Sequence, residues 1–135
     1  MARRTEKPPE FFVDRSLGKS VVEALRATGL TVHSMADVYG EERAQRLADE
    51  VWLRDAGQMD WIVLTKDDAI RRRPAERDDL TEAAVRSFCL TTAQLRGAEQ
   101  IRRFVDNHHR ILRQARKPGP YIYGVYEGGL PRLWP

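Results

Sequence analysis

The sequence predicts an α/β fold built on a mainly parallel central sheet of about five strands. Short apolar, strand-like runs alternate with longer segments of helical periodicity. Glycine or proline punctuates the ends of the helical segments, as at Gly29, Gly57 and Pro118-Gly119-Pro120. The chain has 135 residues, 41% apolar and 32% charged, which suits one globular domain with a hydrophobic core and excludes a disordered chain. No internal repeat and no low-complexity stretch is visible.

Phe11-Phe12-Val13 reads as a short buried strand that ends at Asp14. A helix follows from about Leu17 to Ala27, with Val21, Val22 and Leu25 on one face and Gly29 in the place of a C-terminal glycine. Leu30-Thr31-Val32-His33 reads as the second strand, ending near Asp37. A second helix is predicted from Glu41 to about Ala56 on the spacing of Ala44, Leu47 and Val51, with Gly57 closing it. Trp61-Ile62-Val63-Leu64 is the clearest buried strand and runs straight into Thr65-Lys66-Asp67-Asp68. The stretch Arg71 to Asp79 reads as a charged loop. Val85 to Thr91 is the fourth strand. The longest helix is predicted from Thr92 to Arg116, with a stripe of Ile101, Phe104, Val105, His108, Ile111, Leu112 and Ala115. Tyr121 to Tyr126 is the last strand, followed by a tail to Pro135.

Residues 1–10 are basic, then polar with Pro8-Pro9, and read as a flexible tail. Residues 11–135 form the domain. The apolar run after the tail is too short for a secretion signal, and no stretch approaches membrane-spanning length. The single cysteine, Cys89, makes no internal disulfide and points to a reducing, cytoplasmic setting. Net charge is +3, from 23 Lys plus Arg against 20 Asp plus Glu. If four acids gather in one pocket, 16 acids face 23 cations elsewhere, a surface of +7. A basic surface around an acidic pocket suits a polyanion held by its phosphates; a solvated, salt-bridged surface is the plainer alternative.

The aspartates stand at strand ends. Asp14 follows the first strand, Asp37 the second, and Asp67 and Asp68 the third. Side chains just beyond the carboxyl ends of parallel strands line a common crevice. Asp49, in the helix before the third strand, is placed to reach the same edge. Carboxylates gathered in this way repel one another, and a hard divalent cation offsets that repulsion. Oxygen donors suit Mg²⁺ or Mn²⁺, not Zn²⁺. Such ions activate water and stabilise both oxygens of a phosphodiester displacement. Lys66, Arg15 and Arg71 lie close in sequence to the acids and are candidate phosphate contacts. Each choice has an ordinary counterpart. Asp14, or Asp67 with Asp68, can cap a helix. Asp37 can be a turn residue, and Asp49 can be a surface charge. His108, on the apolar stripe, and His33 read as structural. Arg102, Arg103, Arg110, Arg113, Arg116 and Lys117 either track an RNA backbone or form a solvated helix face.

Phe11-Phe12-Val13-Asp14 followed by Arg15-Ser16-Leu17-Gly18 resembles the opening strand and first acid of PIN-domain nucleases. Asp49, then Ala56, then Trp61-Ile62-Val63-Leu64-Thr65-Lys66-Asp67 reproduces the family's helix Asp, small residue and buried strand running into Thr-x-Asp. The Val63-Leu64-Thr65-Lys66-Asp67-Asp68 form, with Ile70-Arg71 after it, is similar to the PIN-like branch that includes some VapC-type toxins of VapB–VapC toxin–antitoxin systems. The resemblance spans about Phe11 to Pro74. It implies a PIN-like three-layer α/β sandwich, a site for Mg²⁺ or Mn²⁺, and endonucleolytic hydrolysis of RNA. It also implies a cognate antitoxin and makes a homodimer plausible. By position it assigns Asp14, Asp49 and Asp67, with Asp68 as a further ligand or a helix cap. The fourth acid of the family is Asp37 in this reading, with Glu42 as the alternative.

Competing α/β readings fit less well. A receiver domain wants paired acids after the first strand and a late strand-end Lys. A haloacid-dehalogenase-like phosphatase wants Asp-x-Asp where this chain has Asp14-Arg15-Ser16. A degenerate PIN-like module that binds RNA or a partner protein without catalysis is the non-enzymatic alternative.

Overall fold

The computed structural model describes residues 8–66, 73–91 and 95–135. Strands β1 (Glu10–Val13), β2 (Thr31–Ser34), β3 (Ile62–Thr65), β4 (Arg86–Cys89), β5 (Tyr121–Gly124) and β6 (Arg132–Trp134) form one sheet in the order β2-β1-β3-β4-β5-β6. The first five are parallel, and β6 returns antiparallel to β5. The mainly parallel sheet expected from the sequence is therefore present, with β6 added in what reads as a tail. Its residues, Arg-Leu-Trp, are too few to show a period of two.

Helices cover both faces, which is why β3 is buried along its whole length and reads as an unbroken apolar run. On one face lie α1 (Lys19–Ala27) and, later in the chain, α6 (Gly97–Asp106) and α7 (His108–Ala115). They pack Val21, Val22, Leu25, Phe104, Ile111 and Ala115 on Phe11, Val13, Ile62, Leu64 and Phe88. On the other face lie α2 (Met35–Tyr39), α3 (Glu41–Ala44), α4 (Asp49–Gln58) and α5 (Pro74–Glu82). Their Met35, Ala44, Trp52, Leu53, Ala56 and Leu80 meet Phe12, Val63 and Ile122. The result is a three-layer α/β sandwich. Among the described residues, no helix is long and apolar enough to cross a membrane.

Several boundaries depart from the sequence reading. The helix expected over 41–56 is two helices, broken at Gln45–Ala48, and α4 buries Trp52, Leu53 and Ala56 rather than Leu47 and Val51. Gly57 does not close α4 but lies inside it. A Cβ there would sit 2.5 Å from the Ala83 carbonyl oxygen, so the glycine permits α4 and α5 to touch. The helix ends one residue on, at Gln58. The Trp61 and Asp60 amides bond back to the Ala56 and Gly57 carbonyls, with Asp60 at φ 61°. The charged loop expected over 71–79 is in part α5: Pro74 stands at its first turn, where a missing N–H costs nothing, and Leu80 anchors it. The long helix expected over 92–116 is α6 and α7, joined at Asn107. That buried side chain donates to the Arg103 and Tyr126 carbonyls, both at 2.8 Å, and ties the joint to the end of β5. Thr92 lies outside the described residues.

The chain leaves β1 for β2 on one side and then crosses back to β3 on the other. The strand order thus reverses at β1, and its carboxyl end is where a crevice opens in sheets of this kind.

Candidate metal centre and active site

Asp14 is the first residue beyond β1, and Thr65 is the last of β3. The pairing of Val13 with Leu64 brings the two side by side. The Asp14 carboxyl is 6% exposed. Its Oδ1 accepts from the Ser16 amide at 3.0 Å and from the Ser16 hydroxyl. Its Oδ2 accepts from the Thr65 hydroxyl at 2.9 Å. The Lys66 amide in turn donates to Ser16 Oγ at 2.9 Å, which ties the ends of β1 and β3 together. Burial pushes the Asp14 pKa up to about 6, against the lowering effect of the Ser16 and Thr65 hydrogen bonds, and Asp49 adds to the rise by repulsion.

Asp49 is the first residue of α4, and its side chain is 23% exposed. Its Oδ1 accepts from the buried Trp52 indole at 2.9 Å and stands 3.5 Å from Arg15 Nη1. Among the described residues, Oδ2 of Asp49 and one lone pair of Asp14 Oδ2 remain for another partner. This all-oxygen donor set fits a hard divalent cation. Among the described residues no group of three or more His, Cys, Asp or Glu converges on one point. The two acids need completion by water, substrate or side chains outside that set. Asp67, Asp68 and Arg71, all singled out in the sequence, lie outside the described residues.

Asp49 lies near enough to Asp14 to repel its charge, and two other candidates lie apart from that pair. Asp37 lies in the first turn of α2, capped by Ser34, and pairs with Arg26 at 2.8 Å. The Arg26 hydrogen bond holds its pKa below the usual carboxylate value. Its side chain is 61% exposed, and none of its bonds leads to Asp14. Glu42 is more exposed still and pairs with Arg46 at 3.2 Å. A cleft of about 480 Å³ beside Asp14 is lined instead by Glu41, with Arg15, Met35 and Gln45. Arg15, read as a phosphate contact, turns its guanidinium toward the protein and bonds the Ala44 and Leu47 carbonyls. Lys66 is half-buried at the end of β3. His33 stacks on Trp61 at 4.1 Å and meets Glu10 at 2.6 Å, a structural role. His108 likewise bonds the Val105 carbonyl.

Sequence reasoning missed Ser16, Thr65 and Glu41 as neighbours of the site. The Ser16 role was open to view, since a residue two positions after an Asp is where that carboxylate bonds its own backbone. Thr65 and Glu41 depend on strand register and on the α2–α3 turn, which carry no local signature.

Comparison with known proteins bears on this geometry. A family model described as "PIN like domain" matches residues 9–92, which include both Asp14 and Asp49. The chain is 36% identical over 124 residues to a protein of Mycobacterium tuberculosis (strain ATCC 25618 / H37Rv) titled "Putative ribonuclease VapC45". The match covers 91% of this chain and 90% of that one. No solved structure matches the chain.

Proposed function

The chain belongs to the PIN-like domain family, and from that premise we propose that it is a metal-dependent endoribonuclease, the toxin of a VapB–VapC-type toxin–antitoxin pair. The observation that carries the reading is the buried Asp14 carboxyl at the strand-order reversal, held by Ser16 and Thr65, with Asp49 near enough to repel it. A buried carboxyl beside a second one is costly in a protein that has no cation to bind there.

Asp14 and Asp49 would hold Mg²⁺ or Mn²⁺, with Asp67 and Asp68, two and three residues after Thr65, as the proposed remaining acids. When bound, the cation supplies positive charge at the scissile phosphate and lowers the pKa of water. The residues themselves do the placing. Ser16 and Thr65 fix the Asp14 oxygens, and Trp52 fixes Asp49. The site sits at the surface edge of the sheet beside an open cleft, where a nucleic-acid strand has access. In the reaction a water oxygen bonds to phosphorus, one phosphoester P–O bond breaks, and the leaving oxygen takes up a proton. Lys66 and Arg71 are the proposed phosphate contacts. The proposed partners are an RNA substrate, a cognate antitoxin protein and a second copy of the chain.

The test is cleavage of an RNA panel by antitoxin-free protein with Mg²⁺, Mn²⁺ or EDTA, alongside Asp14→Ala, Asp49→Ala and Asp67→Ala. Cation-dependent cutting lost in all three variants is expected. A folded protein that binds RNA but cuts with neither cation would establish the non-catalytic module instead. That second reading draws on the lack, among the described residues, of any group of three or more His, Cys, Asp or Glu that could hold a metal ion.

A further inference from the structure

We propose that Arg15 is a positioning residue that holds the Asp49 carboxylate in register with Asp14, and that it does not contact the RNA backbone. The proposal rests on the cation-site reading only for what the two carboxylates are held to do.

Arg15 is the peptide neighbour of Asp14, whose carboxyl is buried and fixed by Ser16 and Thr65. The Arg15 backbone is therefore anchored at the end of β1. From there its side chain reaches back over the break between α3 and α4. Nε donates to the Ala44 carbonyl at 3.0 Å, one terminal nitrogen donates to the Leu47 carbonyl, and the other stands 3.5 Å from Asp49 Oδ1.

These three partners explain one another. Ala44 is the last residue of α3, and a helix end leaves its carbonyls without helical partners. Ala48 precedes α4 and supplies no side-chain cap. Two carbonyls at this connection, those of Ala44 and Leu47, are met by the Arg15 guanidinium from another element. A planar fork with five donors satisfies two carbonyls and a carboxylate at once, which a lysine ammonium on a flexible stem does not.

The consequence falls on Asp49. Arg15 and Trp52 both engage Oδ1, from opposite sides in sequence, and among the described residues Oδ2 has no partner. The oxygen available to a cation is then set by two neighbours that themselves touch no cation. An arginine occupied in this way directs each of its three guanidinium nitrogens at a protein oxygen, although its side chain is 39% exposed.

The experiment measures Mn²⁺ affinity by calorimetry for wild type, Arg15→Lys and Arg15→Ala, with thermal melts in EDTA and RNA cleavage kinetics at saturating Mn²⁺. Residues that orient metal ligands change affinity by about 10- to 100-fold. Arg15→Lys is expected to stay folded and to bind Mn²⁺ about tenfold more weakly. Its KM for RNA at saturating Mn²⁺ should stay close to that of wild type. Unchanged Mn²⁺ affinity with a raised KM would make Arg15 a phosphate contact and overturn the proposal. Unchanged affinity with only a lowered melting temperature would overturn it as well, by reducing Arg15 to a fold contact. If wild type binds Mn²⁺ and Arg15→Lys weakens it while no RNA is cut, the positioning role stands and the nuclease reading falls. If wild type binds no Mn²⁺, both fall together.

Discussion

At the scale of single residues, Asp14 carries the sharpest prediction. Its folded pKa, about 6, lies above the ordinary aspartate value of 3.8. The folded state therefore holds the proton more tightly than the unfolded state. Stability from this group is full below about pH 4 and is lost as pH rises toward 6. A rise of about two pKa units corresponds to ~3 kcal/mol. In EDTA, denaturant melts should show stability falling over that window. Asp14→Asn should remove the fall and leave the protein more stable at pH 7, while abolishing cleavage. A second prediction concerns Ser87, buried in β4, whose hydroxyl has no hydrogen-bond partner among the described residues. An unsatisfied buried hydroxyl costs about 1–3 kcal/mol, so Ser87→Ala should raise the denaturation midpoint rather than lower it.

At the scale of elements, the contact between α4 and α5 decides a substitution that propensity alone would misjudge. Alanine is favoured over glycine inside a helix by about 1 kcal/mol. Yet a Cβ on Gly57 would lie 2.5 Å from the Ala83 oxygen and 2.7 Å from the Ala83 Cβ. Gly57→Ala should therefore destabilise, by an amount in the ~1–3 kcal/mol range of overpacked cores, read from the thermal midpoint. The reverse holds two residues past α5. Ala84 sits at φ 55°, where an L-residue is strained, and its amide and that of Val85 close the helix end on Thr81 and Leu80. Ala84→Gly should be neutral or stabilising by up to ~1 kcal/mol. These two positions also show where sequence reading stops. Gly29 does what a glycine after a helix suggests, at φ 95°. Gly57 looks the same on paper, but its reason is a neighbour 26 residues away. Likewise the Glu41–Ala56 periodicity continues across the break at Gln45–Ala48, because the carbonyls exposed there are satisfied by Arg15, a partner from β1's end.

At the scale of the whole molecule, the legible part was the plan and the illegible part was the register. Phe11 to Asp14 and Trp61 to Thr65 announce buried strands ending in polar groups, and that suffices to place Asp14 at one sheet edge. Asp37 fits the same rule and departs from it because a helix starts at Met35 and turns its carboxylate out to Arg26. The proposed cation binding would couple the site to the entire fold. A ligand at 100 times its Kd adds about 2.7 kcal/mol of stability. Saturating Mn²⁺ should raise the melting temperature of wild type and leave Asp49→Asn nearly unmoved, as differential scanning fluorimetry would show.

The alignment of β1 with β3 has one more consequence. Thr65 reaches Asp14 because Val13 pairs with Leu64, and successive side chains of a strand point to opposite faces. A slip by a single position would send Thr65 to the far face while leaving the helix content of the chain intact. The site is then a built-in gauge of correct assembly. A compact, mispaired species would pass by far-ultraviolet circular dichroism and lack the proposed cation site, so titration with Mn²⁺ would count the properly assembled fraction of any preparation.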